Sequence, residues 1–165
     1  MSRRHHPPTH GFSLLEILLV VAILMVLVGI AVPLYFRATE RARATEARYE
    51  LAVLELRANA PDLALNEFRQ VVQLRPEDVM AWNGLGLAYA RIGALGEARQ
   101  ALEHAKTLEP TNVSTLSNLG LLAAYEQRWN SAREVWQSTL ELDPRFAPAA
   151  KNLETLNTLM ESTPR

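Results

Sequence analysis

One carboxylate, Glu16, lies near the start of an otherwise uncharged run that extends from Phe12 to Phe36, within the stretch Gly11-Phe12-Ser13-Leu14-Leu15-Glu16. On insertion scales an acidic side chain at the centre of a membrane helix costs roughly 2.5–3.5 kcal/mol, so such a group is normally retained for a purpose and asks for a cationic partner. The other residues that could do chemistry offer less. His5, His6 and His10 cluster in the basic leader, but Pro7 and Pro8 interrupt them, and no metal site is expected there. His104 is the remaining histidine; with Glu103 and Lys106 beside it, it reads as a solvated side chain on a helix. Gly84 and Gly86 lack the spacing of a phosphate-cradling loop and belong to a repeat described below. The chain contains no cysteine, which excludes disulfides, thiol catalysis and an acylated cysteine anchor. A formal net charge of -1 gives no case for nucleic acid. The expectation is a protein that is not an enzyme and has no cofactor and no metal.

The elements that position these groups fall into two kinds. Phe12 to Phe36 would form a helix of about 25 residues, or roughly 37 Å, enough to cross a hydrocarbon core of ~30 Å. A secretory signal peptide has a shorter apolar region, of roughly 7–15 residues, followed by a small-residue cleavage site. A plain signal anchor fits the length but has no need of Glu16, or of Gly directly before Phe. Gly11-Phe12 with Glu16, behind the leader carrying Arg3 and Arg4, resembles the N-terminus of type IV pilins and pseudopilins. Ser13 stands where threonine is more usual in that family. The resemblance implies that a prepilin peptidase cuts between Gly11 and Phe12 and methylates the new amine. It also implies that Glu16 pairs with the α-ammonium of a neighbouring subunit during assembly, and that Pro33 is a helix-weakening proline. Lys and Arg alone do not favour a cytoplasmic leader, since Arg37, Arg41, Arg43 and Arg48 follow the span. The processing motif places the leader in the cytoplasm and the remainder in the periplasm, as a single-pass protein of the bacterial inner membrane or a subunit drawn from it into a filament.

Beyond residue 44 the sequence repeats with a period of 34. Pro76, Pro110 and Pro144 recur in phase, as do Ala64, Ala98 and Ala132, and Phe68, Leu102 and Trp136. The middle unit carries Trp82-x-x-Leu85-Gly86-x-x-Tyr89, then Ala98, Leu102, Ala105 and Pro110, and resembles the tetratricopeptide repeat. The reading is an all-α chain: a leader at 1–11, a spine helix at 12–44, a degenerate first repeat at 45–78, repeats at 79–112 and 113–146, and a capping helix and tail at 147–165. Neither Gly nor Pro occurs from Leu34 to Ala60, so the membrane helix is expected to run without a break into the first repeat and to end near Asn59.

The resemblance to tetratricopeptide arrays implies a concave groove lined by the first helix of each pair. Val53, Leu87 and Leu121 occupy equivalent places, as do Arg57, Arg91 and Tyr125, with Tyr49, Asn83 and Asn118 nearby. This is an apolar floor with polar handles, suited to an extended segment or helix of a protein partner. It lacks the lysine pair of the subclass that grips C-terminal carboxylates. The alternative is a groove filled by the capping helix. Two functions follow. One is a minor pilin or pseudopilin that enters a pilus or secretion pseudopilus beside other such subunits and carries a binding head. The other is an inner-membrane adaptor for pilus assembly or secretion that does not polymerise. Pilin heads usually contain an antiparallel sheet, which this sequence does not offer.

Overall fold

The computed structural model describes residues 13–162, and these are helical with short turns between helices. The elements are α1 (Leu14–Arg57), α2 (Pro61–Leu74), α3 (Val79–Arg91), α4 (Leu95–Leu108), α5 (Val113–Tyr125), α6 (Trp129–Leu142) and α7 (Ala147–Ser162). The all-α expectation therefore holds across the described residues. The chain divides into two compact units at Arg43 and Ala44.

In the first unit α1 opens on a capping box. The Ser13 N–H donates to Glu16 Oε2 at 2.7 Å and the Glu16 N–H donates to Ser13 Oγ at 3.2 Å, so two backbone donors at the helix start are satisfied reciprocally. Pro33 lies inside the helix. It removes one backbone donor, but helix continues on both sides. The apolar side chains from Leu14 to Phe36 are exposed, and this helix is long and apolar enough to cross a membrane. Among the described residues, helical propensity and length define the segment.

The second unit is a stack of helical hairpins whose turns share one construction. Asn59, Gly93 and Gln127, each 34 residues apart, adopt positive φ values of 57°, 81° and 59°. After each, a backbone N–H reaches back to close the preceding helix: Ala60 to Glu55 O, Ala94 to Tyr89 O, and Arg128 to Ala123 O. This is the left-handed C-terminal cap that satisfies orphan carbonyls and reverses the chain. Only the middle turn uses the residue best suited to that conformation. The turn into each following pair is capped by a side chain: Asp78 accepts from the Ala81 N–H and Asn112 from the Thr115 N–H, both at 3.0 Å.

Packing follows the repeat. Gly86 admits Leu102 so closely that a Cβ there would lie 2.5 Å from Leu102 Cγ and 3.3 Å from the Ala98 carbonyl. Gly120 does the same for Trp136, whose Nε1 donates to the Ser117 carbonyl at 2.9 Å. Phe68, Leu102 and Trp136 are the large buried groups of the three pairs. Trp82 is half-buried and its Nε1 donates to the Pro76 carbonyl at 2.7 Å. His104 is exposed, as the sequence suggests, but its ring also lies 4.3 Å from that of Trp82. In α7 the packed face is Ala149, Leu153 and Leu156, while Ala150 and Met160 are exposed.

Candidate functional site

Two places carry the candidate residues. At the N-terminus, Gly11 and Phe12 lie outside the described residues, as do His5, His6 and His10. Glu16 is placed in the first turn of α1, where one of its oxygens is already engaged by Ser13. Its carboxylate thus has a local partner in a single chain, in addition to any it meets in a neighbour.

The second place is a groove of about 220 Å³ in the repeat unit. It brings together seven residues that the sequence singles out: Tyr49, Val53, Arg57, Asn83, Leu87, Arg91 and Asn118. Leu56, Phe68, Met80 and Gly84 also line it. Gly84 is expected only as part of the repeat core; without a side chain it leaves room for the Phe68 ring, which a Cβ would strike. Tyr49 packs edge-on against the same ring, with centroids 5.9 Å apart. Burial, with Asp78 and Glu46 adding to it, pushes the Tyr49 phenol above its ordinary range, so it is a neutral hydrogen-bonding group at the groove wall.

Several handles are already in use. Asn118 Nδ2 donates to Asn83 Oδ1 at 2.9 Å, tying α5 to α3. Arg91 Nη1 donates to the Leu56 carbonyl at 2.5 Å, which satisfies one of the last acceptors of α1. Arg57 remains exposed, with no ion pair among the described residues. The groove therefore offers an apolar floor, one free guanidinium, and a second that is anchored at one nitrogen. Leu121 and Tyr125 are not among its lining residues. Leu121 packs against the cluster that includes Ala149 and Leu156 of α7, and Tyr125 is exposed. The physical reason is that α7 occupies the side of α5 that a further repeat would otherwise cover, so the groove stops at Asn118. No group of three or more potential metal ligands occurs among the described residues.

Residues 49–113 match the tetratricopeptide repeat family, and residues 8–32 match the prokaryotic N-terminal methylation motif. The chain thus joins a prepilin-type methylation segment to tetratricopeptide repeats. Among curated proteins it is similar to Superkiller protein 3 of Schizosaccharomyces pombe, 42% identical over 60 residues that make up 36% of this chain and 4% of that protein. It therefore spans only a small part of that relative. Among solved structures, the Sgt2 tetratricopeptide domain from Aspergillus fumigatus superposes with a TM-score of 0.62 at 17% identity, covering 74% of this chain and 85% of that one. The first tetratricopeptide domain of Spaghetti, solved with a bound HSP90 peptide, superposes with a TM-score of 0.60 at 18% identity, covering 72% and 94%. At these identities the likeness is one of fold.

Proposed function

We propose that this protein is a pilin-like subunit, a minor pilin or pseudopilin, cut between Gly11 and Phe12 by a prepilin peptidase and built into a pilus or secretion pseudopilus. Its tetratricopeptide head carries a protein partner in the groove at Tyr49–Asn118. The observation that carries the reading is the joining, in one chain, of the methylation motif at 8–32 to a repeat fold at 49–113. The groove supports the binding half, because it combines exposed apolar floor with a free cation at Arg57. A peptide bound to a domain of the same fold supports an extended segment as the ligand. The motif supports an orientation with the leader in the cytoplasm and the head in the periplasm.

The second reading, an inner-membrane adaptor that does not polymerise, is favoured by one observation. Among the described residues the head contains no strand, so nothing of the sheet usual in pilin heads is present. Immunoblots of sheared surface filaments against washed inner membranes separate the two. Peptidase-dependent signal in the sheared fraction is expected for the subunit; signal confined to membranes would establish the adaptor instead. Glu16→Ala should remove the sheared signal while leaving cleavage largely intact, and normal incorporation of that variant would overturn the charge-pairing role. For the groove, Leu87→Asp combined with Arg57→Glu should abolish partner capture with the head still folded. Arg57 is preferred to Arg91 because Arg91 also holds the end of α1. Unchanged capture would move the binding surface elsewhere.

A further inference from the structure

The far end of the apolar run carries cations that take no part in the groove. A hydrocarbon core of ~30 Å takes about 20 residues at 1.5 Å per residue, so a core that begins at Leu14 ends near Pro33. Tyr35 and Phe36 follow at once, 67% and 60% exposed, with their rings edge-on and 6.0 Å apart. Amphipathic rings such as tyrosine concentrate where lipid tails give way to headgroups. Arg37, Arg41 and Arg43 come directly after and are exposed.

Charge and spacing determine what these cations meet at that depth. Glu40 is the one acidic residue from Arg37 to Arg43, so three arginines against one glutamate leave the stretch at +2. Among the described residues Glu40 forms no ion pair with them, and neither Arg37 nor Arg43 has one. Arg37 and Arg41 stand one turn apart, about 40° round the helix, so both reach the same side. All three cations are arginine, in a chain whose only lysines are Lys106 and Lys151. The guanidinium is a weakly hydrated planar fork that grips a phosphate through two parallel N–H bonds, whereas lysine is a point charge. Its long stem also lets the charged head reach the headgroup layer from a helix that starts among the tails. Arg48, by contrast, is committed to Glu67 at 2.8 Å.

We infer that Arg37 and Arg41 together hold the phosphodiester of an anionic phospholipid, with Tyr35 and Phe36 seated at the same headgroup level and Arg43 adding to the attraction. A zwitterionic lipid brings its own ammonium and leaves the arginines uncompensated. An anionic one, such as phosphatidylglycerol, supplies the missing charge. A guanidinium has five N–H donors, so Arg41 can serve the phosphate beside a contact within its own chain. Only the first unit is involved, and the site is the same whichever leaflet this end of the span faces. The inference rests on the membrane-anchored part of the pilin-like reading, and not on cleavage, assembly or orientation.

Full-length protein in detergent micelles is titrated with equimolar phosphatidylglycerol and phosphatidylcholine of the same chains, and bound lipid is counted by native mass spectrometry. Phosphatidylglycerol adducts are expected to exceed phosphatidylcholine adducts several-fold. Arg37→Gln combined with Arg41→Gln should make the two equal, and Arg48→Gln should leave the preference as it is. Thermal unfolding of the head should be the same in the parent and the double variant. Equal retention by the parent, or a preference that survives in the double variant, would overturn the inference and leave these arginines for carboxylates of a protein. Displacement of the lipid by an excess of glycerol 3-phosphate would overturn it too, because the site would then read a phosphate alone. Carbonate extraction of native membranes tests the underlying reading separately. Protein that resists extraction but shows no lipid preference fails the site and leaves the anchor intact. A lipid preference in protein that carbonate releases supports the site and fails the anchor.

Discussion

The two units of this chain solve opposite problems. From Leu14 to Phe36, large apolar side chains are exposed almost without interruption, and among the described residues the segment is held by the backbone hydrogen bonds of α1 and a capping box at its start. From Ala44 onward the reverse holds: Phe68, Leu102, Leu122 and Trp136 are buried, and each helix from α2 to α6 is closed by a backbone N–H at its C-terminus. The first unit leaves its apolar side chains uncovered by the described residues, whereas the second buries its large apolar groups and leaves one groove open. The difference shows where each kind of substitution is felt. A core change in the repeats should unfold the head, and a similar change in the apolar helix should be visible only where that helix meets something else.

The largest effect is expected at Trp136. Trp136→Ala removes a buried ring, frees the Ser117 carbonyl and opens space beside Gly120, and should cost about 3–5 kcal/mol in denaturant unfolding followed by circular dichroism. Leu24→Ala, a comparable truncation in the exposed apolar helix, should leave that transition unmoved. Equal shifts from the two variants would break the comparison, because they would show that the membrane segment contributes to the stability of the head.

A smaller effect sharpens the same contrast. Asn112 caps α5 by accepting from the Thr115 N–H, and Asn112→Ala should lower head stability by about 1 kcal/mol. Asn112→Asp should restore most of it, and a failure of that rescue would assign the loss to the Asn112 Nδ2–Glu109 contact at 3.0 Å instead.

These cases also show what was legible in the sequence. The repeat period, the all-helical class, and the close approaches at Gly86 with Leu102 could be read directly, because each depends on residue type at a fixed spacing. Four of the residues that line the groove, Val53, Leu87, Arg57 and Arg91, recur at that spacing, while Tyr49, Asn83 and Asn118 lie near them without it. Leu121 and Tyr125 occupy equivalent positions in sequence but not in surroundings: α7 covers one and leaves the other outside the groove, and a period carries no information about where an array stops. The end of the first helix near Asn59 was expected, but the left-handed conformation at Asn59 and Gln127 was hidden because neither is glycine, although both take the conformation that Gly93 takes at low cost. The capping box at Ser13 and Glu16 has the sequence form Ser-x-x-Glu, but the same glutamate is the acidic residue of the methylation motif, and residue type alone does not separate the two uses.

The smallest expected effect concerns the joint between the second and third repeats. Glu126 accepts hydrogen bonds from Arg99 on α4 and, at 3.2 Å, from Arg128. Burial alone would raise the Glu126 pKa, but these two hydrogen bonds and the charges behind them outweigh it and hold the carboxyl below its ordinary range. A carboxylate lowered in the folded state contributes stability that is fully present above its unfolded pKa and is lost as pH falls through the lower folded value. Arg99 is partly exposed, so solvent limits the pair to about 0.2–1 kcal/mol. The stability difference between the parent and Glu126→Gln should therefore be constant from neutral pH down to about 5 and shrink below the usual carboxylate range near 4. A difference that persisted undiminished at acid pH would mean that the joint is held by packing around α4 and α5, with the charge incidental.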